Sequence, residues 1–132
     1  MNYNDLLSNI SSNDNIKVIH SNYNEDCFGS FQIAFLFRNK IDLEIINDRG
    51  IIEINIIHSV FGVIKEHIPF FFAVNYINGI QDQHEFAFND INSAQEFLFN
   101  NVNILELIIE RGLMSVILKG WSIYKKSLGG ME

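Results

Sequence analysis

Between residues 31 and 57 the chain alternates apolar and polar positions with a period of two. Phe31, Ile33, Phe35 and Phe37 are interleaved with Gln32, Ala34, Leu36 and Arg38. Ile41, Leu43 and Ile45 are interleaved with Asp42, Glu44 and Ile46, and Ile52, Ile54 and Ile56 with Glu53, Asn55 and Ile57. This pattern, rich in β-branched residues, predicts three strands. A three-residue hairpin loop, Arg38-Asn39-Lys40, with Asn39 or Lys40 left-handed, pairs Phe37 with Ile41, Phe35 with Leu43 and Ile33 with Ile45. A two-residue loop would pair Phe37 with Asp42 and destroy the apolar face. The next turn, Asn47-Asp48-Arg49-Gly50, reads as type I and pairs Ile46 with Ile51, Ile45 with Ile52, Leu43 with Ile54 and Glu44 with Glu53.

Elsewhere the period changes. Tyr3, Leu6, Leu7 and Ile10 predict a short N-terminal helix over 2–10, Ser11–Asn15 a turn, Ile16–His20 a short strand and Ser21–Asp26 a polar loop. Val60, Phe61, Val63 and Ile64 fit a short helix. Pro69 suits the start of another over 70–77, stopped at Asn78-Gly79. Phe86-Ala87-Phe88 reads as a short strand. Asp90 reads as the N-cap of an amphipathic helix carrying Ile91, Ala94, Leu98, Val102, Leu105 and Ile109, with Gly112 at its end. A last helix carries Val116, Ile117, Trp121 and Tyr124, with Lys119, Lys125 and Lys126 outside, before a frayed Gly129-Gly130. The sum is an α+β fold over 1–132 as one domain: an antiparallel β-meander of three to five strands, helices on one face, and a mainly helical C-terminal half.

Composition narrows the partners. The 132 residues are 48% hydrophobic, which excludes a disordered chain. Lys and Arg number 9 against 16 Asp and Glu, a net charge of −7. That balance argues against nucleic acid and anionic membrane surfaces. The apolar runs are too short to span a bilayer, there is no signal-peptide pattern, and the single Cys27 cannot form an internal disulfide. A cytoplasmic protein is the expectation. Residues 1–90 hold 12 acids and 5 bases, whereas residues 91–132 hold 4 of each, so the surplus belongs to the sheet half.

Chemistry motifs are sparse. The sequence has no Walker loop, Rossmann glycine fingerprint, Gly-x-Ser-x-Gly elbow or His-Glu-x-x-His pair. His20, His58, His67 and His84 match no metal-ligand spacing, and Gln81–Glu85 reads as a solvated loop. Cys27 lies beside Glu25 and Asp26, the wrong charge to support a thiolate nucleophile. No catalytic centre, metal site or cofactor is expected.

The outer face of the meander is different. The type I register sets Glu44 opposite Glu53, with Asp42 beside Asn55, and like charges directly opposite are destabilising. Leu36, Ile46, Ile51 and Ile57 share that face. Either a helix covers the apolar end and the acids are solvated, or the face docks a basic protein. In the docking reading Asp42, Glu44 and Glu53 accept Lys and Arg, Glu25, Asp26 and Asp48 flank them in loops, and Leu36, Ile46 and Ile57 are the apolar neighbours. Asp48-Arg49-Gly50 is also explained by turn chemistry alone.

The run from Phe35 to Ile54, centred on Asp48-Arg49-Gly50, resembles a small bacterial immunity-protein-like family of polymorphic toxin systems. In that layout a strand, an Asp-Arg-Gly or Asp-Arg-Ser turn and a second strand precede a helical half, and the likeness covers about residues 28–112. A Trp that often follows the second strand in the family is absent, Phe61 being the nearest aromatic. The resemblance implies a cytoplasmic protein that neutralises a secreted toxin by binding it, without catalysis. Two competing classes remain open. One is a small-molecule binder or unusual enzyme with a pocket near Trp121, Tyr124 and the histidines. The other is a structural subunit whose apolar outer face forms a homodimer.

Overall fold

A computed structural model describes residues 1–27, 29–60, 62–78, 87–112 and 115–116. Helix α1 (Tyr3–Ser11) leads into strand β1 (Ile16–Asn24), a single 3-10 turn (Glu25–Cys27), then β2 (Ser30–Phe37), β3 (Ile41–Asp48), β4 (Ile51–Val60) and β5 (Ile64–Pro69). Helices α2 (Phe70–Asn78), α3 (Ile91–Asn100) and α4 (Val102–Arg111) follow. The five strands form one antiparallel meander in the order β1-β2-β3-β4-β5. Phe31, Ile33, Phe35, Phe37, Leu43, Ile45, Ile54 and Ile56 bury one sheet face. Leu6 and Ile10 of α1, Phe70 and Val74 of α2, Leu98 of α3 and Ile104 of α4 join the same core. The α+β class and the helices on one face are therefore as the sequence predicts.

Local chemistry explains the boundaries. Asn2 caps α1 in a reciprocal box: its side chain accepts from the Asp5 amide at 2.9 Å, and its own amide donates to the Asp5 carboxylate at 3.1 Å. Pro69 closes β5 directly before α2, because it needs no ladder donor and its fixed φ suits a helix entry. The predicted β2–β3 register is observed throughout, from Phe37 opposite Ile41 to Ile33 opposite Ile45. Arg38 and Asn39 take the positive φ angles in that loop, and Lys40 donates its amide to the Phe37 carbonyl at 3.0 Å.

Four expectations change. First, β1 runs through Asn24, so the polar loop predicted from Ser21 is mostly strand, with Ser21 opposite Ile33 and Tyr23 opposite Phe31. Backbone pairing with β2 holds these residues whatever their side chains, and the Tyr23 ring stacks on Tyr3 of α1 at 4.9 Å. A bulge between Val18 and His20 interrupts this edge strand.

Second, the β3–β4 turn has two residues, not four. Asp48 pairs with Ile51 across Arg49 and Gly50, whose φ angles are 55° and 91°. Two successive positive φ angles make a type I′ turn, whose twist matches that of the strands. Asn47 fastens it by accepting the Gly50 amide at 2.8 Å. The register therefore slips by two residues, which preserves the faces but changes every partner. Glu44 lies opposite Asn55, Glu53 opposite Ile46 and Asp42 opposite Ile57.

Third, the helix predicted around Val60–Ile64 is a hairpin: β4 continues to Val60 and β5 starts at Ile64, with Gly62 at φ 70° between them. The apolar spacing there imitates a helix because two strand ends meet across a short turn. Fourth, the long helix from Ile91 breaks at Asn101. This residue donates its side-chain amide to the Phe97 carbonyl at 2.8 Å and its backbone amide to Leu98 at 3.2 Å. It thus uses up carbonyls of the last turn of α3. The break rephases the stripe, so that Ile104 and Ile108 are buried in α4 beside Leu105. Asp90 caps α3 and Gly112, at φ 95°, ends α4 as predicted. Phe88 makes a single bridge with Ile52. Gly79, Gln81–Glu85 with His84, Phe86, and Ile117, Lys119, Trp121, Tyr124, Lys125, Lys126 and Gly129-Gly130 lie outside the described residues.

Candidate binding face

The sheet face turned away from the core carries Gln32, Ala34 and Leu36 on β2, Asp42, Glu44 and Ile46 on β3, Glu53, Asn55 and Ile57 on β4, and His67 on β5. Antiparallel pairing arranges them in rows. Gln32, Ile46 and Glu53 form one row, Ala34, Glu44 and Asn55 the next, and Leu36, Asp42, Ile57 and His67 the third. Asp42 and Glu53 are exposed, while Leu36, Ile46 and Ile57 are half-buried.

Glu44 corrects the expectation of a free acidic ladder, because its side chain is 0% exposed. The carboxylate is not available to an incoming cation. It instead collects three donors: Gln32 donates its Nε2 to Oε2 at 2.9 Å, Asn55 its Nδ2 to Oε1 at 3.4 Å, and His67 its Nδ1 to Oε1 at 2.6 Å. Asn55 is itself only 5% exposed. A buried carboxylate is tolerable only when its lone pairs are occupied in this way. Two amide donors identify the oxygens as acceptors, so the proton in the short His67–Glu44 contact belongs to Nδ1.

Glu44 and Glu53 therefore do not crowd each other. Along the strands Asp42 and Glu53 stand four residue steps apart, roughly 13 Å. The remaining acids sit at one end of the sheet. Glu25 and Asp26 are exposed in the turn after β1, and Asp48 is exposed at the end of β3, beside the Arg49-Gly50 turn. Asp48 lies 3.9 Å from Arg49, both groups about four-fifths in solvent, so this pair adds little stability. Between the two turns lies a cleft of about 330 Å3 lined by Asn22, Asn24, Cys27, Ser30, Phe31, Gln32, Asn47, Asp48 and Arg49. Cys27 is exposed and accepts from the Asn24 side chain at 3.3 Å.

Gln32, Asn55 and His67 were not singled out in the sequence. Alternation places Gln32 and Asn55 outward and the β2–β3 register brings Gln32 beside Glu44, whereas setting Asn55 and His67 against Glu44 depends on the type I′ turn and on the β5 strand. The signal for that turn was Arg49-Gly50, with Gly at the second central position. Among the described residues no three His, Cys, Asp or Glu side chains gather as a metal site, and no helix is long and apolar enough to cross a membrane. No family model, curated protein or solved structure matches the chain.

Proposed function

We propose that this chain is a non-catalytic binding protein that captures a basic protein through the outer face of its meander, as a cytoplasmic immunity protein captures a toxin. The observation that carries the reading is the arrangement of exposed Asp42 and Glu53 around half-buried Leu36, Ile46 and Ile57, on the face opposite the helices. Carboxylates at the rim steer a cationic partner, and apolar side chains between them supply desolvated contact. Glu44 serves the face from beneath, not by contact. Glu25, Asp26 and Asp48 extend the negative potential at one end.

The test is co-purification with the product of an adjacent toxin-like gene. Capture by the wild-type chain and loss on Asp42→Lys with Glu53→Lys supports the site. Capture that survives both reversals removes it. The polar cleft between the two turns favours a second reading, a small-ligand site, because its carboxamides offer donors and acceptors in one place. Calorimetry with neutral polar ligands distinguishes it from protein capture.

A further inference from the structure

The Glu44–His67 pair goes beyond a satisfied buried charge. The side chain of Glu44 is wholly buried, yet that of His67 is 52% exposed. Glu44 spans β4 to reach it, since the two residues belong to β3 and β5. A carboxylate fixed by Gln32 and Asn55 holds the ring by Nδ1, which sets both its tautomer and its orientation. In the neutral ring, a proton on Nδ1 leaves the lone pair on Nε2. Nε2 makes no hydrogen bond with any described residue. Mere stability does not require this arrangement, because a face already carrying Ala34, Leu36, Ile46 and Ile57 could have been apolar at positions 44 and 55.

We infer that Glu44 positions His67 as a neutral hydrogen-bond acceptor, whose Nε2 receives an N–H of an arginine or lysine side chain from the captured partner. The inference rests on the binding reading above and names the third acceptor of that face. Asp42 lies in the same row as His67 with Ile57 between them, two strand spacings or roughly 10 Å away. Carboxylate, apolar side chain and imidazole nitrogen then present acceptor, contact and acceptor to one cationic surface. The complementarity is of a single kind: the two polar ends of the row both accept from donors. Glu44 is a positioning residue, and its effect passes through the His67 ring.

Nitrogen-15 NMR of the imidazole in the intact chain reads the tautomer directly. A protonated Nδ1 and a bare Nε2 are expected, and Glu44→Leu is expected to release the ring to mixed tautomers. A wild-type ring protonated on Nε2, or already mixed, overturns the inference. The binding probe is an oligo-arginine peptide. Its addition is expected to shift the His67 Nε2 resonance, and His67→Ala, a change at a half-exposed position, to weaken binding roughly ten-fold. If Asp42→Lys with Glu53→Lys abolishes peptide binding while His67→Ala binds as the wild type does, His67 has no such role and the face stands. Peptide binding indifferent to all three changes, or absent from the wild type, removes both.

Discussion

The Glu44 carboxylate meets the His67 imidazole at 2.6 Å across an intervening strand, with the acid fully buried and the ring half in solvent. This relationship divides the acids of the outer face into two kinds. Glu44 is held in place by the fold, whereas Asp42 and Glu53 face water.

The division predicts unequal costs of truncation. Glu44→Ala removes the shared acceptor and leaves the Gln32, Asn55 and His67 donors without it, so a loss of about 2 kcal/mol is expected. Glu53→Ala exposes no orphaned group and should fall within about 0.5 kcal/mol of the wild type. Urea denaturation of the two variants side by side checks this. Equal midpoints would show that the buried network contributes nothing to stability.

The β3–β4 turn predicts opposite signs at neighbouring positions. Arg49 sits at φ 55°, where asparagine is better tolerated, and Gly50 sits at φ 91° with open space around its Cα. Arg49→Asn should raise stability by several tenths of a kcal/mol, roughly the gain of relieved backbone strain. Gly50→Ala should lower it by about 1 kcal/mol through backbone strain alone, because no atom meets the new Cβ. Thermal melts of both variants measure the difference, and a neutral Gly50→Ala would contradict the assigned turn.

That turn also marks the limit of what the sequence reveals. Alternation fixes which side of the sheet a residue occupies, so Phe35, Leu43 and Ile54 are legible as core and Asp42 and Glu53 as outward. Partners across strands depend on loop length, and two turn geometries of the same Asn47–Gly50 tetrapeptide differ by two residues of register without moving any side chain to the other face. Glu44 against Asn55 in place of Glu53 is that difference. The carboxylate's burial was hidden for a related reason: it requires Gln32 and His67, which lie 12 and 23 residues away in the chain. The Asn101 break was likewise illegible, because an asparagine in an amphipathic run becomes a helix end only where its side chain finds a carbonyl such as that of Phe97.

Asp90 gives a pH dependence with a definite sign. Its carboxylate accepts the Ser93 backbone amide at 2.7 Å and the Ser93 hydroxyl at 2.9 Å. The Ser93 backbone bond first, then the Ser93 hydroxyl, holds the Asp90 pKa below the ordinary aspartate value. A folded-state value below the unfolded one stabilises the native state above the unfolded pKa, and this contribution fades as pH falls through the folded value. The Tm difference between wild type and Asp90→Asn should therefore be constant at neutral pH and shrink below about pH 4. A difference that stays constant through acid pH would place the α3 cap in a charge-independent hydrogen bond.

The exposed acids make their prediction in rates. Asp42 and Glu53 lie at the rim of an apolar strip, where charge acts mainly on the encounter and less on the settled complex. Asp42→Lys with Glu53→Lys should slow association with a basic partner by roughly ten-fold at low salt, with a smaller change in dissociation. The wild-type association rate should itself fall as ionic strength rises, because a Debye length of about 8 Å at physiological salt screens charges spread across a face of this size. Ile46→Ala and Ile57→Ala should show the reverse pattern, with association nearly unchanged and dissociation faster, since apolar contact forms only after docking. Surface plasmon resonance across a salt series, with the product of an adjacent toxin-like gene as the partner, separates the two signatures. Association that is indifferent to both salt and the paired reversal would mean that the outer face is not the surface the partner approaches.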